Sequence, residues 1–426
     1  MVSAIKSAKD ELLIDKIIYM NKNGFASDKM SSEGVAIIGA GRTKFGELFD
    51  RSLMSLITEA SNNALKDANL AWEDIDEIVI GSFIPEIINN IGNLPALIAE
   101  ELCLNIPITR VEAACGSGGA AIYNAIRAVK GGCKNVLAIG AEKSTDGDAR
   151  SAYMAAANPW EHIYGFDFAG LNAAMTERYF YEYPKTKREQ FAMVSVKNHK
   201  HAAGNKLAHL RNQITIETVL NANIISYPVR LFDCSPVSDG AAAVVLTSEE
   251  RAKKEYKDKG VKISGYGMIS DTIGLYARES LVKVKATRLA ARDAFKRAGF
   301  GIEKVDLLEL HDAFVIQEIL ALEELGLANY GEAPKIVEDS FDANAKYIVY
   351  KTLKGEKISN TGGGLKGDGH PVGASGVRQA VELYQQITGK TDHPIDKYLG
   401  RMPRVGLCQS IGGSGSTITV HVLEAM

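Results

Sequence analysis

Short unbroken blocks of apolar residues alternate along this chain with stretches of helical periodicity. Val35-Ala36-Ile37-Ile38-Gly39 and the runs EIVIGSF (77–83) and LLELHDAF (307–314) read as strands. A strand with one wet face would alternate apolar and polar positions, so unbroken runs point to strands buried on both faces. Strands of that kind between amphipathic helices predict an α/β layered protein. Residues 1–34 differ. They are polar, lack sustained periodicity and end in Ser31-Ser32-Glu33-Gly34, and they read as an N-terminal extension.

The pattern repeats within the chain. Residues 63–76 (NALKDANLAWEDID) and 293–306 (DAFKRAGFGIEKVD) share Ala64/Ala294, Lys66/Lys296, Ala68/Ala298, Glu73/Glu303 and Asp76/Asp306. Each copy predicts a helix, a short loop and a strand. Each also precedes a glycine-rich segment that enters an amphipathic helix, at 115–130 and 370–387. The chain therefore reads as two similar halves, 35–249 and 262–426. The stretch from about 147 to 225 has no counterpart in the second half and reads as a loop-and-helix insertion in the first.

Composition narrows the function. With 426 residues and a formal net charge of -3, the chain lacks the basic surplus of a nucleic-acid binder. It has no run near the roughly 20 apolar residues of a membrane span, and charged residues interrupt its N-terminus, leaving no signal-peptide core. A soluble, cytoplasmic protein is expected. The five cysteines (103, 115, 133, 234, 408) form no C-x-x-C pair and no ligand spacing, so no metal site is expected and at least one thiol is free to be chemical.

Four segments carry candidate chemistry. In VEAACGSGGAAIYNAIRAVKGG, Cys115 ends an apolar run at the start of a helix, where free amides and the helix dipole lower a thiol's pKa. Gly116, Gly118 and Gly119 would let a bulky ligand approach. A buried structural cysteine is the plainer reading, and it suits Cys103, Cys133 and Cys234 better, because none has this setting. In ISNTGGGLKGDGHPVGASG, His370 stands among seven glycines from Gly362 to Gly376, better suited to a pocket wall than a core. The segment lacks the Gly-Lys-Ser/Thr ending of a phosphate loop. His311 leaves the sheet at the end of an apolar strand, where open α/β sheets bind ligands, and the repeat places it opposite Gly81 in the first half. Last, VGLCQSIGGSGSTITVHV reads as a hairpin whose amides could line a pocket, or simply as one closing the sheet.

Together these segments resemble the thiolase superfamily, over nearly everything after residue 34. Cys115 before a buried helix, Gly369-His370-Pro371 with Gly373-Ala374-Ser375-Gly376, and SPVSDGAAAVVL (235–246) are similar to the family's motifs. VAIIGAGRTKFGE and His311-Asp312-Ala313-Phe314 resemble the sterol-carrier-protein-type and archaeal acetyl-CoA acetyltransferase branch, in which His-Asp replaces Asn-Glu. The resemblance implies a five-layered αβαβα fold built from two βαβαβαββ halves. It implies reversible Claisen condensation or thiolytic cleavage of a 3-oxoacyl-CoA through an acyl-cysteine on Cys115. His370 and His311 would act on the thiol and the enolate oxygen, and the amides of Cys115 and Gly412 would form an oxyanion hole. Coenzyme A thioesters would be substrates, with no permanently bound cofactor. A homodimer or dimer of dimers is implied, as is a small zinc-ribbon/OB-fold partner, with residues 1–34 contributing to such an interface. Two features depart from the family. The cysteine of its Cys-x-Gly motif is Ser410 here, with Cys408 two residues earlier, and Ala313 stands where some members carry a cysteine. The acid/base at the α-carbon is thus left among His370, His311 and, ranked last, Cys408. The alternatives are a decarboxylating condensing enzyme of the ketoacyl-synthase type and a non-catalytic acyl-CoA-binding scaffold subunit.

Overall fold

The computed structural model describes residues 34–426. Apart from Gly34, the extension read as 1–34 lies outside the described residues, together with the interface role expected of it.

In chain order the strands are β1 (Val35–Arg42), β2 (Glu77–Gly81), β3 (Ile108–Val111), β4 (Val136–Lys143), β5 (Ile224–Ser226), β6 (Val229–Arg230), β7 (Asp239–Ser248), β8 (Val261–Ser270), β9 (Leu307–Glu309), β10 (Val349–Thr352), β11 (Gly355–Ser359), β12 (Val405–Gly412) and β13 (Thr417–Ala425). β5 and β6 form a separate ribbon, and the rest form one eleven-stranded sheet ordered β10-β11-β9-β12-β13-β8-β1-β7-β4-β2-β3. Its centre is the antiparallel pair β1–β8. Outward from that pair, β7, β4, β2 and β3 on one side match β13, β12, β9 and β11 on the other. Both sides pair antiparallel, antiparallel, parallel, parallel. The sequence repeat is thus a repeat of topology.

The unbroken apolar runs are explained by layers on both faces of the sheet. On β4 and β7, Val136, Ala138, Ala242, Val244 and Leu246 pack inward with the helices Ser117–Lys130 and Ser375–Thr388. Their neighbours Leu137, Ile139, Ala241, Ala243 and Val245 pack outward against the helix Leu53–Ala68. In the second half Leu307 and Cys408 face the same two central helices, whereas Leu308, Leu407, Val420 and Val422 face an outer layer containing the helix Lys285–Ala298. Helix, sheet, two helices, sheet, helix gives five layers, and both central helices touch strands of both halves.

The glycines of the two central segments serve this packing rather than ligand approach. A Cβ on Gly118 would lie 2.7 Å from the Gly373 carbonyl, and one on Gly376 would lie 2.3 Å from the Gly119 amide. The helix starts touch backbone to backbone, which brings the Cys115 turn beside the His370 turn. Residues 147–225 hold several helices, among them Phe168–Glu182 and Arg188–Ala202. Among the described residues no helix is long and apolar enough to cross a membrane.

Candidate active site

Cys115 sits in a tight turn, Ala114–Gly116, between β3 and the helix Ser117–Lys130. Its neighbour Ala114 adopts φ 51°, a conformation that costs an alanine energy and that the surroundings must impose. They do so from two sides. The Ala114 amide donates to Glu112 Oε1 at 2.5 Å, and the Ser117 hydroxyl donates to the Ala114 carbonyl at 2.6 Å while accepting from the Ala113 amide at 2.9 Å. The result points Cys115 into the space between the two halves, against Ile88, Ala152, Ala156 and Val372.

His370 reaches the same space from the second half. Its amide donates to Ser238 Oγ at 3.1 Å, and its Nδ1 lies 2.7 Å from Ser375 Oγ. The Ser375 hydroxyl donates to the Pro371 carbonyl at 2.9 Å, so it must accept from Nδ1–H. That assigns the tautomer: Nε2 carries the lone pair, is buried, and has no partner among the described residues. His311 follows β9. The Ile411 amide points at its Nδ1 at 3.3 Å, making Nδ1 the acceptor and Nε2–H the donor. The two imidazole rings lie 5.2 Å apart, nearly perpendicular. Ligand atoms of Cys115, His311 and His370 all fall within 4.8 Å of one another.

Such a donor set could in principle hold zinc. Histidine ligands, however, donate their second N–H to a carboxylate or carbonyl. His311 instead faces an amide donor, which suits proton transfer and hydrogen bonding better than metal ligation.

Burial governs the charges. It lowers His370 to about 3, with the Arg378 guanidinium adding to the effect. It takes His311 well below the usual histidine range, helped by His370 and Arg378. Both imidazoles are therefore neutral at physiological pH. Cys115 moves opposite to the sequence expectation. Burial, then the Glu142 carboxylate, pushes its thiol up to about 12, against the amides of Cys115 and Gly413. The dipole effect is outweighed because the half-buried thiol stands in the turn before the helix, desolvated by the protein around it and close to the Glu142 carboxylate.

The remaining expected residues are placed as follows. Besides its own amide, the amide that reaches the Cys115 thiol is that of Gly413, one residue beyond Gly412. The Ser410 hydroxyl donates to the Cys115 carbonyl at 3.3 Å. Cys408 is buried among the central helices, opposite Glu309 and His421 in the sheet, and is not part of the Cys115 cluster. Asp312 turns away from His311. It accepts from the Leu365 amide at 2.6 Å and from Asn198 Nδ2 at 2.7 Å, shaping the glycine-rich segment. Ser375, Ser238, Arg378 and Glu142 were missed. Ser375 and Ser238 lay within quoted motifs, and Glu142 showed one signal, a carboxylate near the end of an apolar strand. A cleft of about 550 Å³, lined by Ile87, Ile88, Ala152, Met154, Asp148 and His162 among others, shares Ile88 and Ala152 with the apolar cluster against which Cys115 packs. A second cavity, of about 650 Å³, is lined by Trp160, Tyr164, Phe166, Leu275 and Tyr276 among others.

Comparison with known proteins agrees across both halves. Residues 35–227 match the family "Thiolase, N-terminal domain", and residues 267–425 match "Thiolase C-terminal domain-like". The chain is 42% identical over 396 residues to the acetyl-CoA acetyltransferase of Methanocaldococcus jannaschii, covering 92% of this chain and 98% of that protein. It is 31% identical over 375 residues to sterol carrier protein 2 of Rattus norvegicus, covering 84% of this chain and 66% of that one. Among solved structures, a chain of the Ltp2-ChsH2(DUF35) aldolase superposes with a TM-score of 0.76 at 26% identity, covering 92% of this chain and 98% of that chain.

Proposed function

The chain belongs to the thiolase family, and we propose that within its acyltransferase reaction Cys115 carries the acyl group while His370 moves the protons. The observation behind this is the unpartnered Nε2 lone pair of His370, buried within reach of a thiol that stays protonated at rest. His370 takes the Cys115 proton as sulfur attacks the thioester carbonyl. The amides of Cys115 and Gly413, the latter in place of Gly412, receive the developing oxyanion. Collapse expels coenzyme A thiolate, which takes the proton back from His370. The imidazole is then neutral again and free to accept the α-proton of a second acyl-CoA, with His311 Nε2–H facing the enolate oxygen. Carbon attack on the acyl-cysteine breaks its C–S bond, releasing the 3-oxoacyl-CoA and the Cys115 thiolate, which takes the proton back from His370; thiolysis runs the same steps backward. One recycled histidine thus covers the work of the family's second cysteine, and Cys408 has no part.

The cleft at Ile87–Ala157 is taken as the acyl site, and residues 35–249 and 262–426 as the two halves, in keeping with the mirrored strand order. A homodimer is supported by β3, which ends the sheet with no further strand beside it among the described residues. A small zinc-ribbon/OB-fold partner is supported by the similar aldolase chain, whose name includes a DUF35 component, and by exposed Trp160, Ile163, Tyr164 and Tyr276. The five free cysteines fit a reducing cytoplasm. Decarboxylating condensation, which also uses a Cys-His-His set, is set aside by the thiolase matches over both halves. Cys115→Ser is expected to reduce thiolysis of acetoacetyl-CoA to background with unchanged circular dichroism. Retained turnover would remove the reading.

A further inference from the structure

Glu142 is the penultimate residue of β4 and is fully buried. Its Oε2 accepts from the amides of Phe83 and Gly373, each at 2.9 Å. Its Oε1 accepts from the Ile84 amide at 3.2 Å and lies 3.4 Å from the Ser82 hydroxyl. These donors come from opposite halves of the molecule. Residues 82–84 continue β2, while Gly373 belongs to the turn that starts at His370, where the Ala374 and Ser375 amides close onto the Pro371 carbonyl at 2.9 and 3.0 Å. Serines hold the histidine end of this turn. Of these, Ser238 already belongs to the first half; at the other end of the turn Glu142 adds a second side-chain tie to that half, which also carries Cys115.

Three of the four partners are amide donors, and an ionised carboxylate, an acceptor on both oxygens, matches all four. A glutamine NH2 in either position would face an amide N–H, and an acid O–H has the Ser82 hydroxyl alone to donate to. The charged groups around it come from three elements. Arg110 on β3 shapes the same loop by donating to the Ser82 and Phe83 carbonyls at 3.0 Å each, while Cys115 and Tyr153 are the acidic groups that feel its charge.

We propose that Glu142 is a positioning residue: its ionised carboxylate clamps the 82–84 loop to the histidine turn and so holds His370 Nε2 on the Cys115 thiol. This rests on His370 being the base. Burial lifts the Glu142 carboxyl to about 7, against the Phe83, Ile84 and Gly373 amides and Arg110. The clamp therefore loosens as pH falls through neutrality, whereas both imidazoles titrate far lower.

The test is the pH profile of kcat for thiolysis, together with the rate of Cys115 acylation. Wild type is expected to lose kcat below about pH 7 with KM little changed, since the carboxyl sits near that value. Glu142→Gln is expected to lower kcat about 10–100-fold, the scale of a 1 Å misplacement of a catalytic group, and to flatten the acid limb. Glu142→Asp keeps the limb and restores part of the rate. A wild-type kcat flat from pH 5.5 to 8, or a Gln variant that keeps both rate and limb, overturns the proposal; the first of these needs no variant to fold. If Cys115 acylates normally in every variant, the clamp fails while the assignment of the nucleophile stands. If wild type never acylates, it is the underlying reading that fails.

Discussion

Cys115 and His370 form a neutral pair rather than a thiolate–imidazolium ion pair, because burial moves the thiol up and the imidazole down. Deprotonation must then accompany attack. Two consequences separate this from a pre-ionised thiol. Iodoacetamide should alkylate Cys115 slowly at pH 7, with a rate still climbing at pH 10. His370→Asn should slow acylation by about 10²–10⁴, the usual worth of a general base, whereas Cys408→Ala should leave α-proton exchange intact. An alkylation plateau below pH 8, or exchange lost only in Cys408→Ala, would contradict the assignment. The position of Cys115 was legible from its strand–glycine–helix setting, but its charge state was not. A sequence shows that a helix follows, and it does not show how far protein desolvates the half-buried sulfur or that Glu142 stands nearby. Cys408 and Ser410, two residues apart on β12, share one face of the sheet. That face looks onto the central helices, where Ser410 bonds the Cys115 carbonyl and Cys408 fills the core.

Among the elements, the two central helices decide whether the site exists, since their glycine starts bring the cysteine and histidine turns together. Gly376→Ala would place a Cβ 2.3 Å from the Gly119 amide. Backbone cannot yield there as a side chain would, so a loss of about 1–3 kcal/mol is expected from overpacking, with a larger fall in kcat than in KM. A variant with full stability and activity would show that the contact is not needed. The repeat was readable here because it encodes local conformation: Asn69 and Gly299, aligned in the two copies, both end their helices in the left-handed region, at φ 54° and 76°. What the glycines pack against was not readable, since Gly118 and Gly373 lie far apart in the chain, and this is why they looked like ligand-approach residues.

Across the whole molecule, buried ion pairs join segments distant in sequence. Asp368 binds Arg42 at 2.6 Å, and Arg378 binds Glu309 at 2.6 Å. His393 binds Glu382 at 2.9 Å. Burial alone would lower His393, but Glu382, aided by Asp392, raises it to about 9. A raised histidine stabilises fully below its unfolded value near 6.5 and loses that contribution as pH climbs through 9. Thermal stability should therefore fall between pH 6.5 and 9.5, and the fall should shrink in His393→Gln. Equal falls in both proteins would rule this pair out as the cause. No sequence pattern pointed to these pairs, because each joins segments far apart or sits in a loop without periodicity. The layered fold was legible because every layer leaves its apolar spacing in the chain. The claim on which the account stands is that this two-halved body exists to acylate one cysteine. The direct measurement is intact-mass and peptide mapping of the protein after brief exposure to acetyl-CoA. The account predicts one added acetyl group, on the peptide holding Cys115, discharged by free coenzyme A and absent in Cys115→Ala. An unmodified protein, or a label that persists in Cys115→Ala, would contradict it.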